Sequence, residues 1–238
     1  LVEGFVRVPY DDVDAIKTAA QEHSNIVAIL VEPIQGEGGI RIPAAHYLNQ
    51  LRDLCDQHEW LLMLDEIQTG NCRTGAYFAY QNNNIKPDVV TTAKGLGNGV
   101  PIGACLARGK AADVLQPGNH GTTFGGNPLA CSASIAVMET LIEGNYAARV
   151  KALGEKLLSA FKTAFAGSSK VVDVRGCGLL LGIELNAPCA DLVEKGRSKG
   201  ILINVTSGNV VRLLPTFILT DEEVEELITK VVELVTEF

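Results

Sequence analysis

Three unbroken apolar runs constrain this chain more than any other feature. Residues 26–31 are Ile, Val, Ala, Ile, Leu and Val, followed by Glu32. Residues 61–64 are Leu, Leu, Met and Leu, followed by Asp65 and Glu66. The run that opens at Asp88 ends at Ala93 and is followed by Lys94. A strand that is apolar on both faces must be covered on both faces, the condition of a parallel sheet in an α/β protein. Helical patterns lie between the runs. Residues 11–23 carry Asp11 or Asp12 as N-cap and set Val13, Ile16 and Ala20 on one face. Pro43 opens a second helix through about His58, with Leu48, Leu51, Leu54 and Cys55 turned inward. A fourth run covers residues 102–107. Strands alternating with helices predict right-handed crossovers and a mostly parallel sheet. In such a sheet the ionisable groups at the strand ends share one edge, where ligands bind.

Beyond Asn127-Pro128 the pattern changes. Residues 129–143 and 146–165 read as long alanine-rich helices. Residues 170–174, 178–185, 201–204 and 210–214 read as strands, with a short helix over 190–199 between them. Thr220-Asp-Glu-Glu223 is a capping box that opens a final helix. Strands and helices mix here without strict alternation, which predicts a smaller α+β domain over 146–238 after a larger α/β domain over 1–145.

Of the 238 residues 47% are hydrophobic, enough for a substantial core. A net charge of −8 opposes binding to a nucleic-acid backbone. The four histidines show no metal-ligand spacing, so no metal site is expected. The six cysteines form no CxxC pair and read as reduced thiols of a cytoplasmic protein. No run is long enough to span a membrane. The first residue is Leu, and residues 1–10 read as the interior of a longer chain.

The strand-end residues suit the chemistry of pyridoxal phosphate, which asks a protein for an amine, an acid, phosphate donors and a partner for the substrate carboxylate. Lys94, between an apolar strand and the turn Gly95-Leu-Gly-Asn-Gly99, is the candidate Schiff-base amine. Partial burial would bring its pKa down from ~10.4 and free the nucleophile; the plainer reading is a solvated loop lysine. Asp65 is the candidate partner of the ring nitrogen, or else a helix cap. Gln68 is a candidate for the ring's phenolic oxygen, or else a surface glutamine. Thr122 and Thr123 sit in a glycine-rich turn that suits a phosphate, although ordinary turn chemistry explains them as well. Arg212, inside an apolar strand, needs an anion. It is expected to take the substrate α-carboxylate, with Glu37 covering it in the empty site, or to form a purely structural salt bridge. The glycines after Lys94 do not have nucleotide-loop spacing.

Taken together, Glu32-Pro-Ile-Gln-Gly-Glu-Gly-Gly39, Leu64-Asp-Glu-Ile-Gln-Thr-Gly70, Arg73-Thr-Gly75, Thr92-Ala-Lys-Gly-Leu-Gly97, His120-Gly-Thr-Thr-Phe-Gly-Gly-Asn-Pro128 and Val211-Arg-Leu-Leu-Pro215 resemble the class III, ornithine-type aminotransferases, and most of all their acetylornithine/succinylornithine branch. The resemblance runs the length of the chain. It implies a fold-type I enzyme that uses pyridoxal phosphate and works as a homodimer, moving an ω-amino group from N-acetylornithine or a similar donor to 2-oxoglutarate. It gives Lys94 the Schiff base, Asp65 the ring nitrogen and Gln68 the ring oxygen. It gives Thr123 the phosphate of the neighbouring subunit's cofactor, and Glu37 with Arg212 the role of a substrate gate. Family members begin well over a hundred residues earlier, in a part that holds most of the phosphate. A non-catalytic fragment and a related aminomutase are the competing readings. Asn71-Cys72 departs from the apolar residue and glycine usual before Arg-Thr-Gly. If that turn needs positive φ, Cys72 is strained.

Overall fold

The computed structural model describes residues 2–238. Its first sheet has the order β1-β2-β3-β4: β1 Ala28–Val31, β2 Leu61–Asp65, β3 Val89–Thr92 and β4 Ala104–Ala107. The first two pairings are parallel, with Val31 opposite Leu64 and Asp65 opposite Thr91. The third is antiparallel, Thr92 lying opposite Ala104. The apolar run at 102–107 thus forms a strand, but an exposed edge strand of reversed direction. Apolarity sets burial preference and carries no direction.

Helices α1 (Val13–Glu22) and α2 (Tyr47–His58) cover this sheet through Ile16, Leu48, Leu51 and Leu54, packed with Leu62 and Leu64. Asp12 caps α1 by accepting the Ala15 amide at 2.8 Å. Pro43 does not open α2, which starts four residues later. The intervening segment is held by the Asp11 carboxylate, which accepts the Ala44 amide at 3.0 Å.

Helices α3 (Pro128–Glu143) and α4 (Tyr146–Ala164) lead to a second, wholly antiparallel sheet of order β5-β6-β8-β7. Its strands are β5 Val171–Cys177, β6 Leu180–Leu185, β7 Asn204–Thr206 and β8 Val210–Leu213. The strand expected at 201–204 lies three residues later, because the short helix α5 (Leu192–Ser198) needs residues 199–203 to turn back. Helix α6 (Asp221–Thr236) starts at the expected capping box, Thr220 accepting the Glu223 amide and Glu223 the Thr220 amide. Its Val224, Val231 and Leu234 join Leu157, Phe161, Ile183 and Val211 in a separate core.

Where α4 crosses the β5–β6 turn there is no room for a methyl group. A Cβ at Gly154 would collide with the backbone of Gly178, and one at Gly178 with the Arg73 carbonyl. A Gly154→Ala chain should therefore lose ~1–3 kcal/mol through overpacking, outweighing the ~1 kcal/mol that alanine adds to helix propensity. A denaturant midpoint equal to or above the parent's would contradict this.

Candidate active site

Two loops hold the sheets against each other, and the site lies between them. After β1 the chain makes a tight hairpin in which Gln35 and Arg41 exchange two backbone hydrogen bonds of 3.1 Å. Arg175 of β5 grips that hairpin, donating to the Ile40 carbonyl at 2.8 Å and the Gly39 carbonyl at 2.6 Å. After β2, Arg73 donates to the carbonyls of Leu179 (3.2 Å) and Pro215 (2.7 Å), and its guanidinium lies 4.5 Å from the centre of the Phe217 ring. No carboxylate pairs with Arg73 among the described residues. Burial accordingly lowers its pKa to about 10.

A cleft of about 620 Å³ opens between these ties, within the range of small-molecule sites. Lys94, Gln68, Glu37 and Arg212 line it together. Arg212, on β8 and 7% exposed, donates to Glu37 Oε1 at 2.6 Å and to Gln68 Oε1 at 3.3 Å. The Gln68 amide in turn approaches Glu37 Oε1 at 3.5 Å. The pairing expected of Glu37 and Arg212 is present, and Gln68 joins it rather than standing apart. Gly36 makes this approach feasible, since any Cβ there would overlap the Gln68 amide.

Glu37 is exposed, and the hydrogen bond from Arg212 holds its carboxyl below the usual range. A depressed carboxyl keeps its contact above the ordinary value of ~4.3 and loses it as pH falls through the depressed one. Carbon-detected NMR should place the Glu37 midpoint below that of free glutamate, and Arg212→Gln should return it upward. An unchanged midpoint in the variant would refute the pairing in solution.

Lys94 follows β3 by one residue, and Asp65 ends the neighbouring parallel strand. Asp65 spends one oxygen on the Ile67 amide at 3.0 Å, and no other side-chain hydrogen bond of its carboxylate occurs among the described residues. It is not among the groups that line the cleft. The partial burial expected of Lys94 is not found: its side chain is exposed, and its backbone is left-handed with φ 47°. Thr123 is exposed and lies outside the cleft, while the Thr122 hydroxyl accepts the Gly125 amide at 3.1 Å, the ordinary turn chemistry. Asn71 and Cys72 have φ of 54° and 67°. Cys72 thus does occupy the strained conformation that a glycine would take without cost.

Sequence reasoning had assigned no role to Arg73 or Glu32. Glu32 is half-buried, accepts the Gly36 amide at 3.0 Å, and is pushed up by burial and by Asp65 nearby. Its only signal was its place after an apolar strand.

A mostly parallel sheet with a lysine and carboxylates at its strand ends thus meets a second, antiparallel sheet that supplies a buried arginine. The profile of the family described as aminotransferase class-III matches residues 7–235, and the chain belongs to that family. It is 48% identical over 238 residues to an acetylornithine aminotransferase of Nitrosomonas europaea, covering all of this chain and 61% of that protein. It is 44% identical over 225 residues to that of Methanothermobacter thermautotrophicus, covering 94% of this chain and 57% of that protein. Among solved structures, an acetylornithine aminotransferase from Elizabethkingia anophelis superposes with TM-score 0.92 at 36% identity, covering 99% of this chain and 60% of that one. An ornithine aminotransferase from Toxoplasma gondii gives 0.94 at 37%, with 99% and 57% covered. The chain spans about three-fifths of the length of the relatives it matches.

Proposed function

We propose that this chain is part of an aminotransferase that uses pyridoxal phosphate to move the ω-amino group of N-acetylornithine, or a similar donor, to 2-oxoglutarate. The observation that carries the reading is the meeting of Lys94 with the Glu37–Arg212 pair in one cleft, beside the strand that ends at Asp65. The donor set fits the cofactor: an unencumbered amine, a carboxylate with one oxygen unspent, and an amide at the rim.

When bound, pyridoxal phosphate supplies a carbonyl for amine exchange and a ring that withdraws electrons. Lys94 Nζ would hold it and, once free, would take up the proton from the substrate carbon that bears the transferred nitrogen. Asp65 would hold the ring nitrogen in its charged form. Gln68, which lines the same cleft, would contact the ring oxygen. The Arg212 guanidinium receives a substrate carboxylate in two-pronged fashion, and Glu37 closes over it otherwise. Thr123, exposed on its loop, serves the phosphate of a second copy in a homodimer, a reading supported by the uncovered apolar residues Leu129, Ile135 and Ile142 on α3. Residues 1–145 then form the C-terminal part of a cofactor-binding domain and 146–238 a small domain, supported by the two sheets and their separate cores. The six unpaired thiols suit a cytoplasmic setting, and no described helix is long and apolar enough to cross a membrane.

The test combines trapping and turnover. The chain is mixed with pyridoxal phosphate, reduced with borohydride and peptide-mapped, and is then assayed with N-acetylornithine and 2-oxoglutarate. A reduced adduct at Lys94, glutamate formation and ping-pong kinetics are expected. An adduct without glutamate points to an aminomutase. No adduct at Lys94 points to a non-catalytic fragment. Obligatory ternary-complex kinetics would contradict transamination.

A further inference from the structure

Asn71 stands beside the end of β3, where Lys94 begins its turn. The residue is 4% exposed. Its carboxamide nitrogen donates to the Thr92 hydroxyl at 3.0 Å and to the Ala93 carbonyl at 3.4 Å, the two residues that precede Lys94. A carbonyl can only accept, so the nitrogen must face the strand end and the oxygen must face away from it. That oxygen is buried and has no donor among the described residues. Gly95 packs against the same side chain: a Cβ on Gly95 would lie 3.4 Å from Asn71 Cβ. Asn71 and Lys94, with φ of 54° and 47°, are thus two left-handed non-glycine residues joined through Ala93. Such backbone persists only where its surroundings fix it.

We propose that Asn71 is a positioning residue for Lys94, its carboxamide fastening the strained turn so that the amine stands in the cleft, with the remaining oxygen held as an acceptor in the cleft wall. The inference rests on the functional reading, in which Lys94 is the reacting amine, and names the side chain that aims it. Asn71 could instead be mere filling for a buried corner. A filler, however, needs neither a hydrogen bond to Ala93 nor an unpaired acceptor, which buried groups rarely leave unmet. Other charges bear on Lys94 as well: Glu32 and Glu37 interact with it electrostatically, and Arg73 and Arg212 share its cleft.

The test uses an amine reagent, trinitrobenzenesulfonate, with no cofactor present, and maps labelling at position 94 across pH. Asn71→Asp keeps the shape and the tolerance for left-handed backbone but replaces the N–H donors with a charged oxygen. Asn71→Leu removes every polar atom. We expect the aspartate, whose charged oxygen meets the Ala93 carbonyl where the carboxamide donated, to release the turn and change the Lys94 labelling rate across the pH range by about as much as the leucine does. The leucine should change the Lys94 labelling rate by about tenfold, the upper size of one lost hydrogen bond. Labelling of Lys162, on α4, serves as the internal control and should not move. Lys94 labelling rates within about twofold of the parent in folded variants, just under the smallest worth of a hydrogen bond, would overturn the proposal. If the leucine variant does not fold, the aspartate variant decides alone. Because the readout needs no cofactor, a parent that forms no borohydride-stable adduct sinks the functional reading and leaves this result interpretable.

Discussion

A Lys94→Met chain treated with pyridoxal phosphate and borohydride should carry no reduced adduct at position 94, and its amino transfer should fall by at least ~10²–10⁴-fold, the worth of a positioned proton-transfer group. Its melting temperature should stay close to the parent's. The Lys94 side chain is exposed, forms no salt bridge, and donates no hydrogen bond among the described residues. The variant therefore gives up chemistry without giving up packing. Methionine retains the length and leaves the left-handed φ of 47° as it was, so the backbone strain is common to both chains. The separation of the two readouts is the informative part. A variant that melts far below its parent would mean that Lys94 holds the turn together, and its lost activity would then say nothing of an amine. A variant that still carries the adduct would move the reacting lysine elsewhere and end the functional reading.

The sequence disclosed the strand ends better than it disclosed what connects them. Glu32, Asp65 and Lys94 were legible because an apolar run that stops at an ionisable group marks the end of a buried strand, and parallel pairing then places such ends on one edge. The Glu37–Arg212 pair was legible in spite of a sequence separation of 175, since an arginine inside an apolar strand must find an anion. Asn71 was not. Its function depends on a left-handed turn meeting the end of a different strand, and nothing local to Gly70-Asn-Cys-Arg73 says which carbonyl will stand opposite. Arg73 was obscured for the same reason, its partners being backbone carbonyls of Leu179 and Pro215 that carry no side-chain signature. The direction of β4 and the true start of α2 were lost to the ambiguity of apolar pattern, which marks burial but neither orientation nor the point where a helix begins.

The same loop yields the second large effect, through Glu66 rather than its neighbour Asp65. Glu66 is wholly buried and accepts from the Thr69 hydroxyl and from the Ala79 and Tyr80 amides, both at 3.0 Å. It thereby ties the segment that carries Gln68, Asn71 and Arg73. Glu66→Ala would strand two backbone amides and a hydroxyl in the interior at ~1–3 kcal/mol each, partly offset by removal of a costly buried carboxylate, for a net loss of about 3–5 kcal/mol. Glu66→Gln keeps one acceptor oxygen and should lose about 1–3 kcal/mol. The pH dependence identifies the cause. Burial raises the Glu66 carboxyl above its ordinary value, its three donors countering this in part, so at pH between the two values the folded chain binds more of this proton than the unfolded chain does. Stability from this group is complete below ~4.3 and declines as pH rises through the raised value. The gap between parent and Glu66→Ala should therefore be widest near pH ~4 and narrower at neutrality. Urea unfolding of both chains at the two pH values measures it. A gap that widens toward neutrality would show that the ionised carboxylate is favoured where it stands, with a cationic partner in solution that takes the place of the three donors. Loss of cleft geometry should accompany the loss of stability, because this carboxylate ties the segment that places Asn71 against β3.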